Sequence, residues 1–112
     1  MSSIRNRVSL IGHTGKDPEV KDVNDSQLAR VTLATNENYR DAQGEKKTDT
    51  QWHQLVAWGK TASIFENYVK KGKEIAVEGK LISRSYDTKE GEKRYITEVK
   101  VDEVQLLGGR PE

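Results

Sequence analysis

In the stretch GHTGKDPEV, residues 12–20, two glycines, a Gly-Lys pair and a threonine hydroxyl stand close together. Loops that cradle phosphates share these residue types. A Walker A loop, however, needs Gly-x-x-x-x-Gly-Lys-Ser/Thr running into a helix. Here only His13 and Thr14 separate the glycines, and Asp17 stands where Mg²⁺ needs a hydroxyl. Pro18 biases Asp17 away from helical angles. A carboxylate at that point repels a phosphate. The stretch reads as a turn whose glycines let a strand bend. Other catalytic sets fail as well. His13 and His53 are the only histidines, and neither HExxH nor GxSxG occurs. The chain has no cysteine, which excludes a thiol nucleophile, a zinc ribbon and a disulfide scaffold. His13 reads as a turn residue and His53 as packed or hydrogen-bonded at a surface. No enzyme activity, cofactor or metal is expected.

The second candidate is TQWHQLVAWGK, residues 50–60. On a strand, Trp52, Gln54, Val56 and Trp58 share one face and His53, Leu55 and Ala57 the other. Leu55 and Ala57 suit a core, so the tryptophans point outward, about 20 Å apart at about 3.3 Å per residue. Residues 75–86 repeat the theme, with Lys80, Arg84 and Tyr86 on the polar face. Tyr39 with Arg40 opens a long charged stretch. Exposed rings beside cations suit unpaired bases, because a ring stacks on any base for about 1–3 kcal/mol. Lysine and arginine neutralise the phosphates between them. Duplex DNA hides its base faces, so the pattern favours single strands. A protein–protein interface also explains exposed aromatics. Phe65, Tyr68 and Tyr95 lie on apolar stripes or faces and are assigned to the core.

The elements that must position these residues are mostly strands. Alternation predicts strands over 7–11, 28–35, 52–58, 75–86 and 94–106. Their apolar faces carry Val8 and Leu10; Ala29, Val31 and Leu33; Leu55 and Ala57; Ile75, Val77 and Leu81; and Tyr95, Val99 and Val101. One helix interrupts them, with Ala62, Phe65 and Val69 as its stripe. Thr61 or Ser63 suits its N-cap, and Ser63-x-x-Glu66 has capping-box spacing. Lys70 and Lys71 suit its last turn and Gly72 its left-handed end. Residues 37–50 read as a long functional or mobile loop, and 87–93 as a hairpin tip. Five strands with one helix between the third and fourth is the order of an OB-fold, an all-β Greek-key barrel.

Bulk properties agree. The 112 residues suit one domain, and a net charge of +1 leaves any phosphate surface to local clustering. Residues 60–84 hold six basic residues against three acidic. The N-terminus lacks an apolar signal core, no run approaches membrane length, and a cytoplasmic compartment is expected. The sequon Asn24-Asp25-Ser26 then carries no weight.

At NRVSLIGHTGKDPEV, VTLATNENYRD, WHQLVAWGK, YVKKGKEIAVEGKL and LLGGR the chain resembles the bacterial single-stranded DNA-binding protein family. The match runs from Asn6 to about Gly109. The resemblance implies a non-enzymatic OB-fold, spanning 1–112 as one domain, that assembles as a homotetramer. It implies protection of single-stranded DNA in replication, repair and recombination, in a nucleoid-associated cytoplasmic setting. Carried over by position, the stacking aromatics fall on Tyr39, Trp52, Trp58 and Tyr86. Three differ in ring type from the family's common Trp-Trp-Phe-Trp, yet all stay aromatic. Phosphate contacts fall on Arg7, Lys47, Lys60, Lys71, Arg84 and Arg94. Gln54 and Ser85 stand where members often carry cations, which implies a weaker salt dependence. His53 and Ala76 match subunit-interface positions, Ala76 replacing a frequent tyrosine. Members usually continue into a linker and an acidic tip that docks replication and repair proteins. Those partners are expected only if a longer native chain supplies that tip beyond Pro111-Glu112.

Overall fold

The computed structural model describes residues 4–108. The last two residues of the GGR end of the final family marker, Gly109 and Arg110, lie outside that range. A short 3-10 turn, Ile4–Asn6, leads into β1 (Val8–Thr14). Then follow β2 (Glu19–Val23), β3 (Ser26–Arg40), β4 (Lys46–Trp58), α1 (Gly59–Tyr68), β5 (Glu74–Asp87) and β6 (Lys93–Leu106). The strands pair in the order β1-β5-β6-β4-β3-β2, and β3 also pairs back onto β1 at His13↔Ala34 and Thr14↔Leu33. That second pairing closes β1, β5, β6, β4 and β3 into a barrel. The β4–β6 contact is parallel, at Leu55↔Val99 and Val56↔Lys100. Closure with the helix between the third and fourth barrel strands gives the expected OB-fold.

The inward faces follow the predicted alternation. Ala29, Val31, Leu33, Leu55, Ala57, Ile75, Val77, Val99 and Val101 form one core cluster, with Val8 and Leu10 packed against it. The helix adds Ala62 and Phe65, and Val69 just beyond it is buried too. No helix among the described residues is long and apolar enough to cross a membrane.

Several expectations are corrected. The segment Glu19–Val23 is a strand paired with β3 through the Asn24-Asp25 turn. Both turn residues have positive φ (50° and 65°), as a two-residue hairpin of the primed type requires. Two valines were too few to register as alternation. Residues 37–50 are no loop: β3 and β4 run on as a ribbon to Arg40↔Lys46. Both its faces are polar, so no apolar period betrays it. Its order comes from Thr50 donating to Asn36 (2.6 Å), Thr48 donating to Asn38 (2.9 Å) and the Asp41 carboxylate accepting the Gln43 and Glu45 amides. His13 lies in β1 rather than in a turn.

The helix begins earlier than predicted, with Trp58 as an N-cap that makes no side-chain cap bond. Thr61 and Ser63 lie inside it. Ser63 and Glu66 instead grip Gln27, Ser63 donating to its carbonyl (2.7 Å) and Glu66 accepting from its amide (3.2 Å). Lys70 and Lys71 fall beyond the last turn. Gly72 is left-handed (φ 82°), but in a following turn closed by Lys73 N donating to Lys70 O. The GHTGKD stretch clamps that turn. Thr14 Oγ1 donates to Lys70 O (2.6 Å) and the Asp17 carboxylate accepts the Lys71 amide (2.8 Å). Thus Asp17, the residue that excluded a Walker loop, has a backbone-capping task.

Tyr68, Leu81 and Tyr95 are exposed, not core. The β1–β5 pairing stops at Val8↔Gly79, and beyond it β5 and β6 continue as an arm. Leu81 and Tyr95 sit on that arm, past the cover of the barrel. Tyr68 closes the helix off its buried stripe.

Candidate nucleic-acid interface

The outer face of the barrel is built by strand register. One row runs Arg30, Val56, Lys100 and Lys80 across β3, β4, β6 and β5. Trp58 stands opposite Leu28, and Trp52 opposite Ala34, on either side of that row along β4. Both tryptophans are open, at 59% exposed for Trp52 and 40% for Trp58. Val56 between them is buried although it shares their face.

The two remaining aromatics sit at the ends of the arms, each opposite a cation. Tyr39 pairs with Lys47 on the β3–β4 ribbon, and Tyr86 with Arg94 on the β5–β6 arm. Both rings are exposed. Five residues separate Ala34 from Tyr39, an odd step. Tyr39 and Lys47 therefore lie on the opposite side of the ribbon from Trp52 and Trp58. The structure brings the tryptophans together on the barrel and leaves Tyr39 on another surface.

The predicted cations divide by partner. Arg7 is tied to Glu78 on the β1–β5 side of the barrel, Nη2 to Oε2 at 2.5 Å. Lys47 lies 3.7 Å from Glu45 and 3.9 Å from Asp41, and Arg94 lies 3.6 Å from Glu92. These are loose surface pairs of little energy. Arg84 donates from Nε to Glu98 at 3.0 Å. That hydrogen bond holds the Arg84 guanidinium above its ordinary range; desolvation works against it, and the charges of Glu98 and Tyr86 work with it. Lys60 and Lys71 make no ion pair among the described residues. His53 shares a 2.9 Å hydrogen bond with Thr35 Oγ1. Ala76 lies between Ile11 of β1 and Gln105 of β6, and Ile11 is exposed. No group of three or more metal-ligating side chains occurs among the described residues.

Two features escape a reading of the sequence. Arg30 and Glu98 form an ion pair at 2.5 Å on the outer face, and both sit in runs that look like ordinary polar alternation. Gly15 has a purpose unrelated to turning. A Cβ there would lie 2.6 Å from Trp52 Cζ3 and 2.8 Å from Thr32 Oγ1. The bare glycine is the seat of the indole. We expect Gly15→Ala to displace that ring. Measured with Trp58→Phe, so that Trp52 is the sole emitter, the change shifts tryptophan emission. It also weakens oligothymidine binding by about two- to tenfold, the worth of one immobilised side chain. Unaltered emission and affinity would remove the seat from the argument.

An OB-fold barrel with open aromatics beside cations belongs to the class of nucleic-acid-binding modules. The Single-strand binding protein family (SSB) matches residues 5–107, and the chain belongs to that family. It is 44% identical over 107 residues to Single-stranded DNA-binding protein 1 of Chlorobaculum tepidum, covering 94% of this chain and 66% of the relative. The chain thus spans just under two thirds of that relative's length. Among solved structures, the Plasmodium falciparum SSB in complex with single-stranded DNA superposes with a TM-score of 0.85 at 30% identity. The superposition covers 96% of this chain and 98% of that one. Membership sets the NTPase reading aside, since the family binds and does not catalyse.

Proposed function

We propose that this chain binds single-stranded DNA with little sequence preference and protects it during replication, repair and recombination. The observation that carries the reading is the pair of open tryptophans astride the Arg30–Lys100–Lys80 row. Bases stack on Trp52 and Trp58, and phosphates meet the cations between them. Tyr86, beside Arg94, extends the path along the β5–β6 arm, and Tyr39, beside Lys47, offers a ring on the other side of the β3–β4 ribbon to a strand that wraps round it. Lys60 and Lys71 are the phosphate contacts nearest to free use; Arg7, Lys47 and Arg94 must first exchange a carboxylate, and Arg84 shares its guanidinium with Glu98. Residues 1–112 act as one DNA-binding domain. A homotetramer fits the exposed Ile11 beside Ala76 on a sheet face, with His53 at a second contact. The setting is cytoplasmic and nucleoid-associated.

The experiment is quenching of tryptophan fluorescence by long oligothymidine at low and high salt. Saturable quenching with an affinity that falls as salt rises is the expected result. A folded protein that shows no quenching would assign the rings to protein contacts instead. A parallel oligouridine titration separates DNA from RNA preference.

A further inference from the structure

The outer face holds a carboxylate for which base stacking has no use. Glu98 of β6 is 3% exposed. Two guanidiniums cover it: Arg30 Nη1 of β3 donates to Oε2 at 2.5 Å, and Arg84 Nε of β5 donates to Oε1 at 3.0 Å. The strands β3 and β5 are not neighbours, because β4 and β6 lie between them. One carboxylate therefore spans the width of the face. A buried acid is costly unless paired, and on a phosphate-binding surface it also repels the ligand. Both arginine side chains remain partly open, 35% for Arg30 and 44% for Arg84. A guanidinium carries five N–H donors in a rigid fork. Glu98 engages only part of each fork and leaves the rest for an incoming anion. The unit keeps a net charge of +1, two arginines against one carboxylate.

Arg30 stands opposite Val56, which lies on β4 between Trp52 and Trp58, and Lys100 continues the row. A backbone phosphate linking bases stacked on the two tryptophans must cross this region. We propose that Glu98 is a positioning residue that holds Arg30 and Arg84 as one phosphate-binding pair beside the tryptophans, with Arg30 a phosphate contact in its own right. The inference rests on the single-stranded DNA reading above. Its physical basis is preorganisation: two long side chains are ordered before the ligand arrives, so binding loses less entropy.

The test is oligothymidine titration of the wild type, Glu98→Gln, Arg30→Gln and Arg30→Lys across a salt series. Charge alone predicts that Glu98→Gln, one unit more positive, binds more tightly with a steeper salt slope. Positioning predicts the opposite sign, about two- to tenfold weaker binding. Arg30→Gln should weaken binding and lower the slope of log affinity against log salt by about 0.7, one contact on a single strand. Arg30→Lys should restore the slope but not the full affinity, because an ammonium lacks the fork. Tighter binding by Glu98→Gln, or an unchanged slope in Arg30→Gln, overturns the inference. If circular dichroism shows Glu98→Gln unfolded, the two Arg30 variants decide by slope. A wild type that binds no oligothymidine overturns the parent reading; a wild type that binds, with either adverse result, overturns only this one.

Discussion

Replacing Trp52 with alanine should weaken binding to a long oligothymidine by roughly 5- to 150-fold, the equivalent of about 1–3 kcal/mol for one lost stack. The indole is largely open, so no core contact is lost with it. Stability should therefore stay within about 1 kcal/mol of wild type. The salt slope should not change, because no phosphate contact is removed. That triple signature is specific: lower affinity, intact fold, unchanged slope. Equilibrium titration at several salt concentrations, with a thermal melt of the same sample, measures all three. The effect should exceed that of Tyr39→Ala, since Tyr39 stands on the far side of the ribbon. Equal losses from the two substitutions would mean that the strand wraps both surfaces evenly. No loss from Trp52→Ala would take the indole off the DNA path.

Much of this arrangement is legible in the sequence. Period-2 alternation located the inward residues of every barrel strand, because each has one face buried and one wet. The outward tryptophans followed from Leu55 and Ala57 facing inward. What failed shares a physical cause. Alternation reports burial, and the ribbon beyond Thr35 and the arm beyond Ile82 hold no buried residue. The ribbon therefore reads as a loop in the sequence, and Leu81 and Tyr95 read as members of a core that does not cover them. Side-chain partners were illegible for a different reason. Glu98 meets Arg30 and Arg84 across separations of 68 and 14 residues, set by strand order and register and not by local pattern. The capping box fails because the helix starts at Gly59, which leaves Ser63 and Glu66 inside it and bonded to Gln27 of β3. The family motifs assigned candidate contacts by position, yet could not show that four of the six cations already hold carboxylates.

The glycines of the opening stretch lead to the second large effect. Gly12→Ala should destabilise the protein by about 3 kcal/mol or more, the upper range of overpacking. Gly12 has no left-handed backbone angle, so alanine could adopt its conformation. The obstacle is space. A Cβ at Gly12 would collide with the Ala34 carbonyl oxygen, and would lie 2.9 Å from its carbon and 3.3 Å from Leu33 Cγ. Backbone cannot swing aside as a side chain can. The collision falls where β1 meets β3, and that contact is the closing seam, only two register pairs long. Opening it exposes Leu33, which is fully buried in the core. Ala34 is also the cross-strand neighbour of Trp52, so the seam and the stacking face move together. Gly44→Ala provides the contrast: φ is 81° there and nothing lies within 4 Å. It should cost only the left-handed strain, about 1–2 kcal/mol. For a domain of this size, a loss of 3 kcal/mol lowers the melting temperature by roughly 10–20 °C. Denaturant midpoints of the two variants therefore separate two meanings of glycine. If Gly12→Ala costs no more than Gly44→Ala, the glycine serves only as a bend. If it costs far more, GHTG is the point where a strand is stripped of its side chain so that the barrel can close.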